Sequence, residues 1–115
     1  MQVAVIQFGA GSANLTGVDL AVLQKVAEIQ RSNRATVRIV AHSAQDADGS
    51  GADVARVNYE ISRRRALAVA TELVQRGVPA NRIVAEAASD AMPVYETSTP
   101  RGLAANRRAE IFLEL

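Results

Sequence analysis

Residues 3 to 8 alternate, with Ala4, Ile6 and Phe8 on one parity and Val3, Val5 and Gln7 on the other, which is the two-residue period of a half-buried strand. Gly9-Ala10-Gly11-Ser12 ends it in a turn. Thr16, three residues before Asp19, predicts a capping box, since the hydroxyl can accept an orphan amide hydrogen and the carboxylate suits a helix N-terminus. The helix that follows carries Leu20, Leu23, Val26, Ala27 and Ile29 on a broad apolar face, and Arg31-Ser32-Asn33-Arg34 stops it. Thr36 to His42 alternates again, with Val37, Ile39 and Ala41 on one side and Arg38 and His42 on the other. Ser43 to Asp53, rich in Ser, Ala, Asp and Gly, reads as a loop. A long helix is predicted from about Val54 to Arg76, ended by Gly77 and Pro79, with Ile61, Ala66, Val69, Ala70 and Leu73 as its core stripe. Ile83 to Ala87 is a third strand. Residues 88 to 105, with Pro93, Pro100 and Gly102, form a long irregular connection, the kind of segment that serves as a functional surface. The run from Arg108 to Leu115 alternates strictly and points Ala109, Ile111, Leu113 and Leu115 inward. The order β-α-β-α-β-loop-β implies an α/β (α+β) two-layer sandwich with the helices on one face of the sheet.

Composition narrows the function classes. The 115 residues make one domain with a single core, without internal repeat or linker. Thirteen basic against twelve acidic side chains leave a net charge of +1, and there are only two Tyr, two Phe and no Trp. That balance opposes nucleic acid as a partner, since phosphate neutralisation needs a basic stripe and base stacking needs aromatic rings. The absence of cysteine excludes disulfides and thiolate metal sites, and one histidine cannot build a polyhistidine centre, so no metal and no cofactor are expected. No run approaches the roughly 20 apolar residues of a membrane span, and the N-terminus lacks a signal-peptide pattern. Direct membrane insertion of the domain is therefore not expected; the chain is either cytoplasmic or a domain of a longer exported protein.

Three constellations bear on chemistry. Gly9-Ala10-Gly11 between a strand and a helix invites a dinucleotide-binding reading, but the third glycine of the fingerprint falls at Asn14 and the helix begins only near Thr16. His42, Ser43 and Asp46 have the residue types of a hydrolase triad, yet neighbouring strand residues point to opposite faces, and nothing else pairs a nucleophile with a base. An enzyme is therefore not expected. Arginine is more informative: Asn58, Ile61, Ser62 and Arg65 fall at i, i+3, i+4 and i+7 and share a helix face. A guanidinium beside an amide and a hydroxyl can take a carboxylate through its fork of donors, or it can be a buried arginine bonded to backbone carbonyls or an acidic neighbour. The residues alone leave both open.

In order along the chain, Phe8 with Ser12 and Leu15, the strand Val37 to His42, Asn58-x-x-Ile61-Ser62-x-x-Arg65-Ala66, Gly77-Val78-Pro79 with Arg82-Ile83, Ser89-Asp90-x-x-Pro93-Val94, and Asn106-Arg107-Arg108 before the last strand resemble the OmpA C-terminal-like domain family. The resemblance implies helices over a mixed four-stranded sheet and a non-catalytic module that binds peptidoglycan through the meso-diaminopimelate of its stem peptide. It implies a periplasmic domain, the C-terminal part of a longer outer-membrane or envelope protein that it anchors to the cell wall. Arg65 takes the place of the family's ligand arginine, with Asn58 and Ser62 on the helix side of the pocket, Ser43 and Asp46 on the loop side, and Phe8 and Gly9 at the rim. Arg107 and Arg108 are expected to brace the sheet.

The chain departs from the family at the strand end, where the family has Gly-His-Thr-Asp and this sequence has Ala41-His42-Ser43-Ala44. An ammonium without its carboxylate loses about 1.5–3 kcal/mol, roughly 10- to 150-fold in affinity. Either Asp46 or Asp48 substitutes from the longer loop, or the fold persists as an interaction module that docks another envelope protein or itself.

Overall fold

The computed structural model describes residues 1–43, 52–89 and 106–115. Strand β1 (Gln2–Gln7) leads to α1 (Gly17–Asn33), β2 (Thr36–His42), α2 (Ala52–Gln75), a short 3-10 turn at Ala80–Arg82, β3 (Ile83–Ser89) and β4 (Arg108–Glu114). The sheet order is β1-β4-β2-β3. β2 and β3 are parallel, joined through α2 as a β-α-β unit, while β4 is antiparallel to both β1 and β2. β1 and β2 are thus parallel to one another with β4 inserted between them, a split β-α-β arrangement. The mixed four-stranded sheet predicted from the sequence is what forms.

Each element follows from its local sequence. Thr16 and Asp19 close a reciprocal capping box, Thr16 N donating to Asp19 Oδ2 at 2.8 Å and Asp19 N to Thr16 Oγ1 at 3.2 Å. α1 ends where Arg34 adopts a left-handed conformation (φ 57°). α2 begins at Ala52 rather than Val54 and ends at Gln75 rather than Arg76, and Gly77 follows at φ 101°, a conformation that costs glycine nothing. β3 continues to Ser89, two residues past the alternation read from sequence.

Leu23, Val26 and Ala27 of α1 and Ala66, Val69 and Leu73 of α2 meet Ile6, Phe8, Val37, Ile39, Ala41, Ala109, Ile111 and Leu113 of the sheet side in one cluster. Ala70 packs against it half-buried. Two positions differ from the expected pattern. The buried stripe of α1 runs Leu23, Val26, Ala27, Gln30, an i, i+3, i+4, i+7 row that excludes Ile29, which is exposed. Gln30 is buried in its place because its Nε2 donates to Ala35 O at 3.0 Å, satisfying the amide. Leu115 is 99% exposed rather than inward, because β4 ends at Glu114, where the pairing with Thr36 runs out.

Candidate functional site

Because β1 and β2 are parallel and β4 runs against both, the carboxyl ends of β1 and β2 lie at the same end of the sheet as the start of β4. Phe8 and Gly9, His42 and Ser43, and Asn106 to Arg108 are therefore brought together by topology, and Phe8 N bonds Arg107 O at 2.7 Å. α2 reaches this end through Arg65, near the middle of the helix.

Arg65 is fully buried. Its Nε donates to Ser12 O at 2.8 Å, Nη1 to His42 O at 3.0 Å and Nη2 to Gly9 O at 3.0 Å, and the guanidinium sits 5.3 Å from the centre of the Phe8 ring. A buried cation needs its donors matched, and the turn after β1 and the end of β2 supply the three carbonyls. Of the two readings left open by the sequence, the bonds among the described residues are those of an arginine held by backbone carbonyls. Ser62 and Asn58, one and two turns earlier on the same face, are buried as well, and Ser62 Oγ donates to Asn58 O at 3.0 Å. The face of α2 that is apolar from Ala66 to Leu73 is thus polar from Asn58 to Arg65, with only Ile61 interrupting it.

Phe8 lies in the core beneath the guanidinium, whereas Gly9 is exposed and offers its carbonyl. The Gly9–Ser12 segment is a turn closed by Ser12 N to Gly9 O at 3.0 Å, with Gly11 at φ 65°. Ser43 is buried, and its Oγ has no hydrogen-bond partner among the described residues. Asp46, together with Ala44 and Asp48, lies outside the described residues.

Below Arg65, on the face of the sheet away from the helices, a polar network holds the other side of His42. His42 Nε2 is 2.8 Å from Glu110 Oε1, which also receives Arg108 Nη2 at 3.4 Å, while Arg108 Nη1 donates to Asn106 Oδ1 at 2.9 Å. Burial, with Arg108 nearby, pushes the His42 pKa below its ordinary value despite Glu110. The imidazole is then neutral at pH 7, with Nε2–H donating to Glu110 and Nδ1 without a partner among the described residues. Both of these Arg108 partners, Asn106 and Glu110, lie two residues away along the same stretch of chain. Glu110 and Asn106 are the site residues that sequence reading missed. The signal was the outward parity of Glu110 in a strand reading Arg-Ala-Glu-Ile-Phe-Leu-Glu, but only the β2–β4 pairing says which histidine it meets. Among the described residues no group of three or more His, Cys, Asp or Glu could hold a metal ion, and no helix is long and apolar enough to cross a membrane.

Residues 7–107 match the model of the OmpA family. Over 106 residues the chain is 33% identical to the peptidoglycan-binding protein ArfA of Mycobacterium tuberculosis, an alignment that takes in 92% of this chain and 31% of that protein. The chain thus spans about a third of that relative's length. Among solved structures, the peptidoglycan-associated lipoprotein from Burkholderia pseudomallei superposes with a TM-score of 0.83 at 23% identity, covering 96% of this chain and 89% of that one. The cell wall anchor of the T6SS from Pseudomonas aeruginosa gives 0.77 at 30% identity, covering 96% and 80%.

Proposed function

Since this chain belongs to the OmpA family, we propose that it binds peptidoglycan non-covalently and anchors a longer envelope protein to the cell wall from the periplasmic side. The names of its relatives, a peptidoglycan-binding protein, a peptidoglycan-associated lipoprotein and a cell wall anchor, support the reading. The observation that carries it is that Arg65, on one buried polar face of α2 with Asn58 and Ser62, binds the carbonyls that follow β1 and end β2, beside the buried Ser43. The role is binding and not catalysis. The ligand group is the meso-diaminopimelate of the stem peptide, its carboxylate towards Arg65 and its ammonium towards the Ser43 end, where Asp46 or Asp48 supplies the counter-charge.

Co-sedimentation with purified sacculi tests the anchor, and titration with a soluble diaminopimelate muropeptide, beside one with lysine in its place, tests the ligand group. Saturable binding, weakened by Asp46→Ala/Asp48→Ala and absent for the lysine muropeptide, is expected. A folded chain that ignores sacculi overturns the anchor reading and leaves the alternative, a fold that docks an envelope protein or a second copy of itself.

A further inference from the structure

At the opposite end of the sheet, the C-terminal ends of α1 and α2 come together beside the turn that leads into β3. A cavity of about 330 Å³ lies there, lined by Gln30, Arg31, Arg34, Gly77, Pro79 and Arg82, without any acidic residue. Three guanidiniums at one cavity repel one another and remain charged at any physiological pH. Helix capping accounts for one of them: Arg31 Nη2 donates to Arg76 O at 3.0 Å, and Gly77 makes room for it, since a Cβ there would lie 2.9 Å from the same Nη2. It does not account for Arg34 or Arg82, whose guanidiniums have no hydrogen-bond or ion-pair partner among the described residues. Arg34 also holds a left-handed conformation (φ 57°), the one positive φ outside glycine among the described residues. A glycine would close the helix there without strain, so the arginine at this position carries a backbone cost of its own.

We propose that Arg31, Arg34 and Arg82 form an oxyanion site for a phosphate ester, remote from the Arg65 end and independent of it. Phosphate suits the site better than carboxylate, because two carboxylate oxygens saturate one guanidinium fork, whereas a phosphomonoester presents three oxygens and up to two charges to three forks. The ester can be a soluble phosphomonoester or a lipid headgroup, which share this chemistry.

The test is an NMR titration of the whole chain with inorganic phosphate at constant ionic strength, followed at the amides of Arg34 and Gly77, beside Arg34→Gln/Arg82→Gln. Those two side chains make no bonds among the described residues, so the variant keeps the fold, which its spectrum verifies. A saturable shift that weakens roughly tenfold or more in the variant is expected. Glycerol 3-phosphate and phosphatidic acid vesicles, run against phosphatidylcholine vesicles, then identify the source, and binding to either sustains the proposal. An unsaturable response, one that chloride reproduces at matched ionic strength, or one unchanged in the variant overturns it.

Discussion

Replacing Arg65 by alanine should cost this domain a large part of its stability, whatever it does to a ligand. The side chain is fully buried and ties three carbonyls from two separate segments, Gly9 and Ser12 after β1 and His42 at the end of β2, to α2. Each charge-assisted bond is worth about 1.5–3 kcal/mol when removed singly. The three do not add, because the variant escapes the desolvation of a buried cation and water can enter to satisfy part of what is left. The contact with the Phe8 ring adds about 0.5–2 kcal/mol. A net loss of about 3–5 kcal/mol follows, from three buried carbonyls left without their donor at about 1–3 kcal/mol each, less what water restores. That is a large share of the roughly 5–15 kcal/mol available to a domain, and on the order of 15 °C in Tm for a chain of this size. Urea unfolding followed by circular dichroism measures it. Arg65→Lys keeps the charge but cannot fork to three carbonyls, and should lose about half as much. An alanine variant within about 1 kcal/mol of the parent would refute the clamp. The same numbers warn that lost peptidoglycan binding in Arg65→Ala counts only where the variant is folded.

Three further outcomes are expected. Thr16→Ala removes one half of the capping box and should cost about 1 kcal/mol, while Thr16→Gly should cost only a few tenths, read from urea midpoints. Gly77→Ala forces a Cβ into a left-handed backbone and against Arg31 Nη2, displacing that flexible side chain from Arg76 O, and should cost about 1–2 kcal/mol by thermal melting. His42, whose folded pKa lies below the usual 6.5, makes the unfolded state the better proton binder, so stability should fall as pH drops from about 7 towards 5, by at most about 1.4 kcal/mol per unit. His42→Gln should flatten that slope, and a slope unchanged in the variant would place the titration elsewhere.

Most of the secondary structure is legible in the sequence because its signals are local. The Thr16–Asp19 cap, the stop at Gly77 and Pro79, and the period-two strands each act within a few residues. That Asn58, Ile61, Ser62 and Arg65 share one face is equally legible, since a helix face depends only on spacing. The errors at Ile29 and Leu115 arose where a local pattern met a tertiary limit: a satisfied amide could take the inward place at Gln30, and pairing with β2 ran out at Glu114.

What only the tertiary structure decided is which distant segments become neighbours. The insertion of β4 between β1 and β2 sets His42 against Glu110 and gathers the carbonyls of Gly9, Ser12 and His42 around Arg65. The meeting of the C-terminal ends of α1 and α2 places Arg82 beside Arg31 and Arg34 at the far end. The sequence by itself determined that an arginine, an amide and a hydroxyl share a face of α2, but not what that face meets. Spacing specifies a face through the helix period, whereas a partner across some fifty residues is chosen by strand order and register, which depend on burial summed over the whole chain.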